Sequence, residues 1–158
     1  MHEYHFQVSP DELGLNGSFT HDIVVDASLD KTSNQFLLRS RIKANGAFEC
    51  DRCLTMFDRT LESSYQMCYV TEGVNQQAID PAEIQVIPSG LTVIDVSEDV
   101  RQTILLSVPL KLLCSNGCAG LCPHCGANLN IDRCTCSEQS GDPRWEGLAI
   151  LKNKNLND

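Results

Sequence analysis

Residues 36–70 read FLLRSRIKANGAFECDRCLTMFDRTLESSYQMCYV, two alternating apolar and polar runs on either side of Cys50-Asp-Arg-Cys53. In the first run Leu38, Ser40, Ile42 and Ala44 alternate with Arg39, Arg41 and Lys43. In the second, Phe57, Leu61, Tyr65, Met67 and Tyr69 fall on one face. A period of two belongs to a β-strand with one face toward a core and the other toward water. The stretch therefore predicts two strands joined by a turn that carries a cysteine pair. Outward from it, Tyr4, Phe6 and Val8 alternate in the same way, and Ile23 to Val25 continues the pattern. Ile84 to Ile87 and Leu91 to Ile94 predict two short strands separated by the turn signal Pro88-Ser89-Gly90.

The period changes from Ser97, which predicts a helix near 97–108. Val100, Ile104, Leu105 and Val108 fall at helical spacing, Asp95 and Glu98 resemble a capping box, and Pro109 stops the helix. Asp142-Pro143 predicts the start of a second helix that sets Trp145, Leu148, Ala149 and Leu151 on one side. The polar stretch from Glu72 to Pro81 reads as a mobile loop. The expected fold is α+β and β-dominated: an antiparallel sheet or partly open barrel with a central helix, a cysteine-rich zinc-ribbon-like lobe and a short C-terminal helix. The expected organisation is a β-rich domain over 1–113, a metal-binding lobe over 114–141 and a terminal helix and tail over 142–158, packed as one unit.

Nine cysteines in 158 residues are concentrated where they can share ligands. Residues 114–136 read CSNGCAGLCPHCGANLNIDRCTC. In Cys122-Pro-His-Cys125-Gly126 the turn aims both sulfurs the same way; Pro123 presets it and Gly126 can take the left-handed conformation that bends the chain away. Cys134 and Cys136 complete a candidate four-thiolate zinc site with Cys122 and Cys125. Cys50 and Cys53 need two more ligands, and Cys114 and Cys118 are the close pair left to supply them, which gives two zinc ions per chain. The alternatives are a single local site of Cys114, Cys118, Cys122 and Cys125, or an upstream pair without metal and hence one ion. An iron–sulfur cluster is the competing metal group. Cys68 reads as an ordinary thiol packed beside a strand. Disulfides would need an oxidising compartment, and the opening MHEYHFQV has none of the features of a secretory signal, so the expected setting is cytoplasmic.

Composition narrows the function classes. With 42% hydrophobic and 6% aromatic residues, the core is adequate for one domain with a small metal-bound appendage. No apolar run approaches the length needed to span a bilayer. The net charge of −9 is unevenly spread, with −5 over residues 1–36, +2 over 37–60, −7 over 61–100 and +1 thereafter. Such a chain has no global electrostatic hold on nucleic acid, which rests on many Lys and Arg contacts to phosphate. A local RNA contact is conceivable at Arg39, Arg41 and Lys43, with Arg52 and Arg59 near them in sequence; the plainer reading is a solvated strand face. The four histidines, His2, His5, His21 and His124, sit in no recognisable nucleophile or metal-hydrolase motif, and four-thiolate sites leave no open position for an activated water. Catalysis and a small-molecule substrate are therefore not expected.

The motifs together resemble one family. Cys50-Asp-Arg52-Cys53-Leu54, the Asp95 to Glu98 helix ended by Pro109, the string from Cys114 through Gly120-Leu-Cys-Pro-His-Cys-Gly-Ala-Asn-Leu-Asn130, the Cys134-Thr-Cys136 pair and Asp142-Pro-Arg-Trp145 are similar to the YceD family from about Ala47 onward. The resemblance implies a bacterial or plastid factor needed for accumulation and processing of 23S ribosomal RNA and for assembly of the large subunit. The expected partner is ribosomal RNA or a basic ribosomal protein, and no membrane. A thiol-based redox or metal-responsive regulator is the alternative from a different class.

Overall fold

The computed structural model describes residues 1–15, 17–33, 35–72 and 84–136. The chain divides between Cys118 and Ala119 into two compact units. Cys114 and Cys118, expected in the cysteine-rich lobe, thus belong with the sheet. The helix expected from Asp142, with Trp145, and the loop through Pro81 lie outside the described residues.

Among the described residues the first unit has five strands, β1 (His2–Val8), β2 (Ile23–Lys31), β3 (Gln35–Glu49), β4 (Met56–Thr71) and β5 (Ile84–Ile87), and one helix, α1 (Ser97–Ser107). The strands form one open sheet in the order β1-β2-β3-β4-β5. β1 to β4 run antiparallel to their neighbours, whereas β5 pairs parallel to β4. The sheet is therefore mixed, which corrects the expected antiparallel sheet or barrel. Leu91 to Ile94 is not a strand: Leu91 and Val93 are exposed and only Ile94 packs against the core. Two apolar residues in alternation do not make a strand when no neighbour offers a ladder.

The register sorts side chains onto two faces. Phe6, Val25, Ile42 and Ser63 stand side by side across four strands, as do His5, Asp26, Arg41 and Ser64 on the opposite face. The apolar face holds Ile23, Val25, Ile42, Ala44 and Leu61, covered by Leu13, Leu15 and Phe19 from the β1–β2 connection and by Val100 and Ile104 of α1. A second apolar group joins Ala27, Leu38, Tyr69 and Ile87 nearer β5. Tyr69 donates its hydroxyl to Asp99 Oδ2 at 3.3 Å, tying β4 to α1. Burial, then the Asp99 charge, push this phenol up, so it remains a donor.

The helix starts differently from the capping box. Asp95 Oδ1 accepts the Ser97 N–H at 2.9 Å, and these bonds hold its carboxyl below the usual range. Glu98 does not reach back; it accepts from Arg101 at 3.3 Å and Gln102 at 3.0 Å. The C-terminal end falls at Val108, extended and followed by Pro109. None of the described helices is long and apolar enough to cross a membrane.

Candidate metal centres

Cys50 and Cys53 sit in the six-residue connection between β3 and β4, where the last pair of the ladder is Glu49 opposite Met56. Within that turn Leu54 N donates to Cys50 O at 2.9 Å and Cys50 N donates to Thr55 O at 3.0 Å. The turn is tied to the segment after α1 by two bonds: Asp51 N to Leu112 O at 2.8 Å, and Leu112 N to Asp51 Oδ2 at 2.6 Å. That brings Cys114 and Cys118 up to the knuckle. Arg52 then fixes the last of the four cysteines, donating from Nη1 to the Cys118 carbonyl at 2.9 Å.

The four sulfurs of Cys50, Cys53, Cys114 and Cys118 lie within 4.8 Å of one another. Cys50 and Cys118 are 3.8 Å apart and Cys53 and Cys114 3.7 Å. A regular tetrahedron of thiolates about 2.3 Å from a central ion has edges of about 3.8 Å, so the set fits one tetrahedral ion. None of the nine cysteines forms a disulfide. Cys50, Cys53 and Cys118 are buried, whereas Cys114 is exposed.

The second unit carries the other set. Leu121 bridges Asn128 and frames a short hairpin, with Cys122 N donating to Ala127 O at 2.8 Å and Gly126 N to Cys122 O at 2.9 Å. The Asn130 side chain accepts the Ala119 N–H at 2.8 Å and steadies the hairpin base. Cys122, Cys125, Cys134 and Cys136 also gather within 4.8 Å, with Cys134 3.3 Å from Cys122 and 3.6 Å from Cys125. The His124 N–H points at Cys122 Sγ (3.4 Å) and the Cys136 N–H at Cys134 Sγ (3.3 Å). Here Cys125 and Cys136 are exposed.

Cys50 and Cys53 in the first cluster and Cys122 in the second ionise readily, Cys53 because its bonds to the Thr55 hydroxyl and backbone lower it. Burial acts to raise Cys50, but backbone N–H groups of Cys114, Arg52 and Cys53 outweigh it and hold the thiol at about 6. Backbone N–H groups of Cys125 and His124 hold Cys122 at about 6. Others are forced the opposite way: Cys114 rises to about 12 through desolvation and its bonds to Cys53, Cys118 and Cys50, and Cys136 to about 12 beside Cys134 and Cys125. A divalent ion must displace protons from the raised thiols, and below about 6 also from Cys50 and Cys122. Metal affinity is therefore expected to fall as pH is lowered, more steeply below about 6. Competition with a chromophoric chelator across pH 5 to 8 checks this, and a pH-independent affinity would contradict thiolate ligation.

The basic residues are placed less favourably for a shared role. Arg39, Arg41 and Lys43 are exposed on the polar sheet face, but Arg39 pairs with Asp30 at 2.7 Å and Lys43 with Glu62 at 3.0 Å. Arg41 stands between Asp26 and Ser64 in the ladder. Arg59 lies opposite Gly46, on the other parity of β3, and Arg52 is committed to the Cys118 carbonyl. The five do not form one patch. Both ion pairs are exposed, so Arg39→Ala and Lys43→Ala are each expected to cost less than about 1 kcal/mol, measurable as unchanged or barely shifted denaturant midpoints.

Of the histidines, His5 hydrogen-bonds Asp26 through Nδ1 at 2.7 Å, with both side chains more than half exposed (60% and 56%). Sequence reasoning missed the parts played by Arg52 and Asp51, and it missed Leu54, whose φ of 58° is positive. The signal for Leu54 was present, since Gly126 occupies the same place after the other knuckle, with φ 74°.

The sequence model of the family described as "Large ribosomal RNA subunit accumulation protein YceD" matches residues 38–152. The chain is 32% identical over 65 residues to the Arabidopsis thaliana protein named "Large ribosomal RNA subunit accumulation protein YCED homolog 1, chloroplastic", covering 41% of this chain and 20% of the relative. It is 39% identical over 66 residues to the Zea mays protein of that name, covering 41% and 21%. An uncharacterized protein of Mycobacterium tuberculosis is 25% identical over 128 residues, 80% of this chain and 60% of the relative. The alignments thus span about a fifth of the two chloroplast relatives and three fifths of the mycobacterial one. No solved structure gives a significant match.

Proposed function

Because the chain belongs to the YceD family, we propose that it is a non-catalytic, zinc-binding factor in ribosome biogenesis, needed for accumulation and processing of 23S ribosomal RNA and for large-subunit assembly. The family match over residues 38–152 carries the reading. The two four-thiolate clusters favour a structural use of metal. A closed tetrahedral thiolate site holds chain segments together and has no vacant position for water or substrate. Zinc suits four sulfurs at tetrahedral spacing around one ion, with two ions per chain. The exposed His5–Asp26 pair lies on a sheet face open to water, which argues against general acid–base work there.

A protein partner fits better than RNA. Carboxylates already engage Arg39 and Lys43, and the chain as a whole stands at −9. Such a surface repels phosphate and attracts the basic proteins of the large subunit. The compartment of action is the one in which ribosomes assemble, the bacterial cytoplasm or its plastid equivalent.

Depleting the protein from its host is the test. The expected result is a deficit of mature large subunits, accumulation of unprocessed large-subunit RNA, and co-sedimentation of the tagged protein with immature particles. An unchanged subunit ratio with normal RNA processing would overturn the reading. Exposure of Cys125 and Cys136 favours one second reading, a thiol switch at the second cluster. For a structural site, low peroxide should modify no ligand thiol until a chelator strips the ion. Modification before metal loss would favour the switch.

A further inference from the structure

The two knuckles share one backbone design and differ at one side chain. In both, the residue after the second cysteine donates its N–H to the first cysteine's carbonyl at 2.9 Å. In both, the first cysteine donates to the carbonyl two residues beyond the second, at 3.0 Å for Cys50 and 2.8 Å for Cys122. This geometry requires positive φ at the closing residue, 74° at Gly126 and 58° at Leu54. Glycine adopts it freely, whereas a leucine's Cβ is crowded there. Leu54 is the one non-glycine residue with positive φ among the described residues. Burial within the chain does not offset that strain, because the side chain is 57% exposed.

A leucine that strains its turn and gains little burial in its own chain is explained by a surface outside the chain. We propose that the tip of the β3–β4 hairpin is a docking surface for a basic protein segment, with Leu54 as its apolar anchor. Met56, 59% exposed, extends the apolar contact. The ladder places Glu49 opposite Met56 and Asp58 opposite Ala47, so both carboxylates share the Met56 face, and Asp51 is exposed in the turn between. Four thiolates around a divalent ion would add two excess negative charges at the same turn. Arg52 keeps its positive charge in the turn while bonded to the Cys118 carbonyl, one cation against the three carboxylates, and Arg59 stands on the opposite face of β4. An apolar centre with an acidic rim matches a segment that presents an apolar side chain flanked by Lys or Arg, and the same rim opposes nucleic acid. The identity of the partner as a basic large-subunit protein rests on the proposed function; the docking surface rests on the turn.

Leu54→Gly separates an anchor from a structural residue by opposite signs. The glycine relieves the turn, so the variant is expected to keep its full metal content and melt at the same temperature as the parent or higher. Its affinity for the partner should nevertheless drop at least tenfold. The probes are the individually purified basic proteins of the host's large subunit, titrated against parent and variant, with naked large-subunit RNA for comparison. Leu54→Asn, which tolerates the same φ without an apolar side chain, should behave alike. A variant that binds as well as the parent, or that loses metal or melts lower, would overturn the anchor. Binding by the parent to RNA but to none of the proteins would overturn the occupant. If depletion produces the RNA defect while the parent binds none of the proteins, docking fails and the functional reading stands. Normal RNA processing on depletion, with Leu54-dependent protein binding, would fail the functional reading alone.

Discussion

Cys50→Ser is expected to leave one metal ion per chain in place of two, and to destabilise the sheet unit while the second unit keeps its ion. Cys50 is fully buried, its sulfur lies 3.8 Å from Cys118, and its N–H closes the turn onto Thr55. Serine preserves the shape but cannot supply the thiolate, and three sulfurs hold the ion far more weakly. A site filled at a thousand times its Kd contributes about 4 kcal/mol to the folded state, so the loss is large against the stability of an ordinary domain. The strands retain their own apolar core, and the variant should still fold, with a markedly lower melting temperature. Cys122→Ser should remove the other ion and leave the sheet's transition in place, because the two clusters draw on different units. Elemental analysis with thermal melts of both variants checks the pair. An unchanged metal count in either, or loss of both ions from one substitution, would refute the two-site arrangement.

Ile104→Ala should damage the same unit by a different route. Ile104 is fully buried and, with Val100, is the part of α1 that closes the apolar face of the sheet. Cutting isoleucine to alanine at such a position removes transfer energy and leaves a cavity, about 2–5 kcal/mol in all. For a unit of this size that is a drop of roughly 10 °C or more. Two positions further on, Leu106 is 85% exposed, and Leu106→Ala is expected to change stability by less than about 0.5 kcal/mol. Metal content should be unaffected in both. A small effect at Ile104, or a large one at Leu106, would mean that the helix is seated differently.

The contrast between Ile104 and Leu106 illustrates what could be read from the chain and what could not. Alternation located β2 to β4 because each has one face in a core and one in water, so that the period of two survives in the sequence; β1 alternates too, although only Val8 in it is even partly buried. The run Arg39, Arg41, Lys43 against Leu38, Ile42, Ala44 is the clearest case, and burial follows it residue by residue. β5 was legible as a strand, but its parallel pairing with β4 was not, because direction is set by the connection and not by the four residues themselves. Leu91 to Ile94 carried the same signal without a neighbouring strand to satisfy it. Cysteine spacing was informative since short turns restrict which sulfurs can converge, and the two groups of four are one of the partitions that the spacing left open. The supporting shell was illegible: nothing in Asp-Arg between two cysteines announces that Asp51 would clasp Leu112 or that Arg52 would hold the Cys118 carbonyl. Leu54 was legible only by comparison with Gly126 at the same place after the other knuckle, since a leucine by itself does not announce a positive φ.

The first cluster joins sulfurs that are far apart in the order of synthesis. Cys53 and Cys114, in contact through their sulfurs, are 61 residues apart in the chain. At a ribosomal rate of about 5–20 residues per second, the second pair emerges roughly 3–12 s after the first. Throughout that interval the nascent hairpin carries two thiols whose partners do not yet exist, open to oxidants and to the wrong metal. With these thiols as metal ligands, conditions that stall the ribosome between the two positions should penalise the protein's yield more than that of a chain whose cysteines are all local.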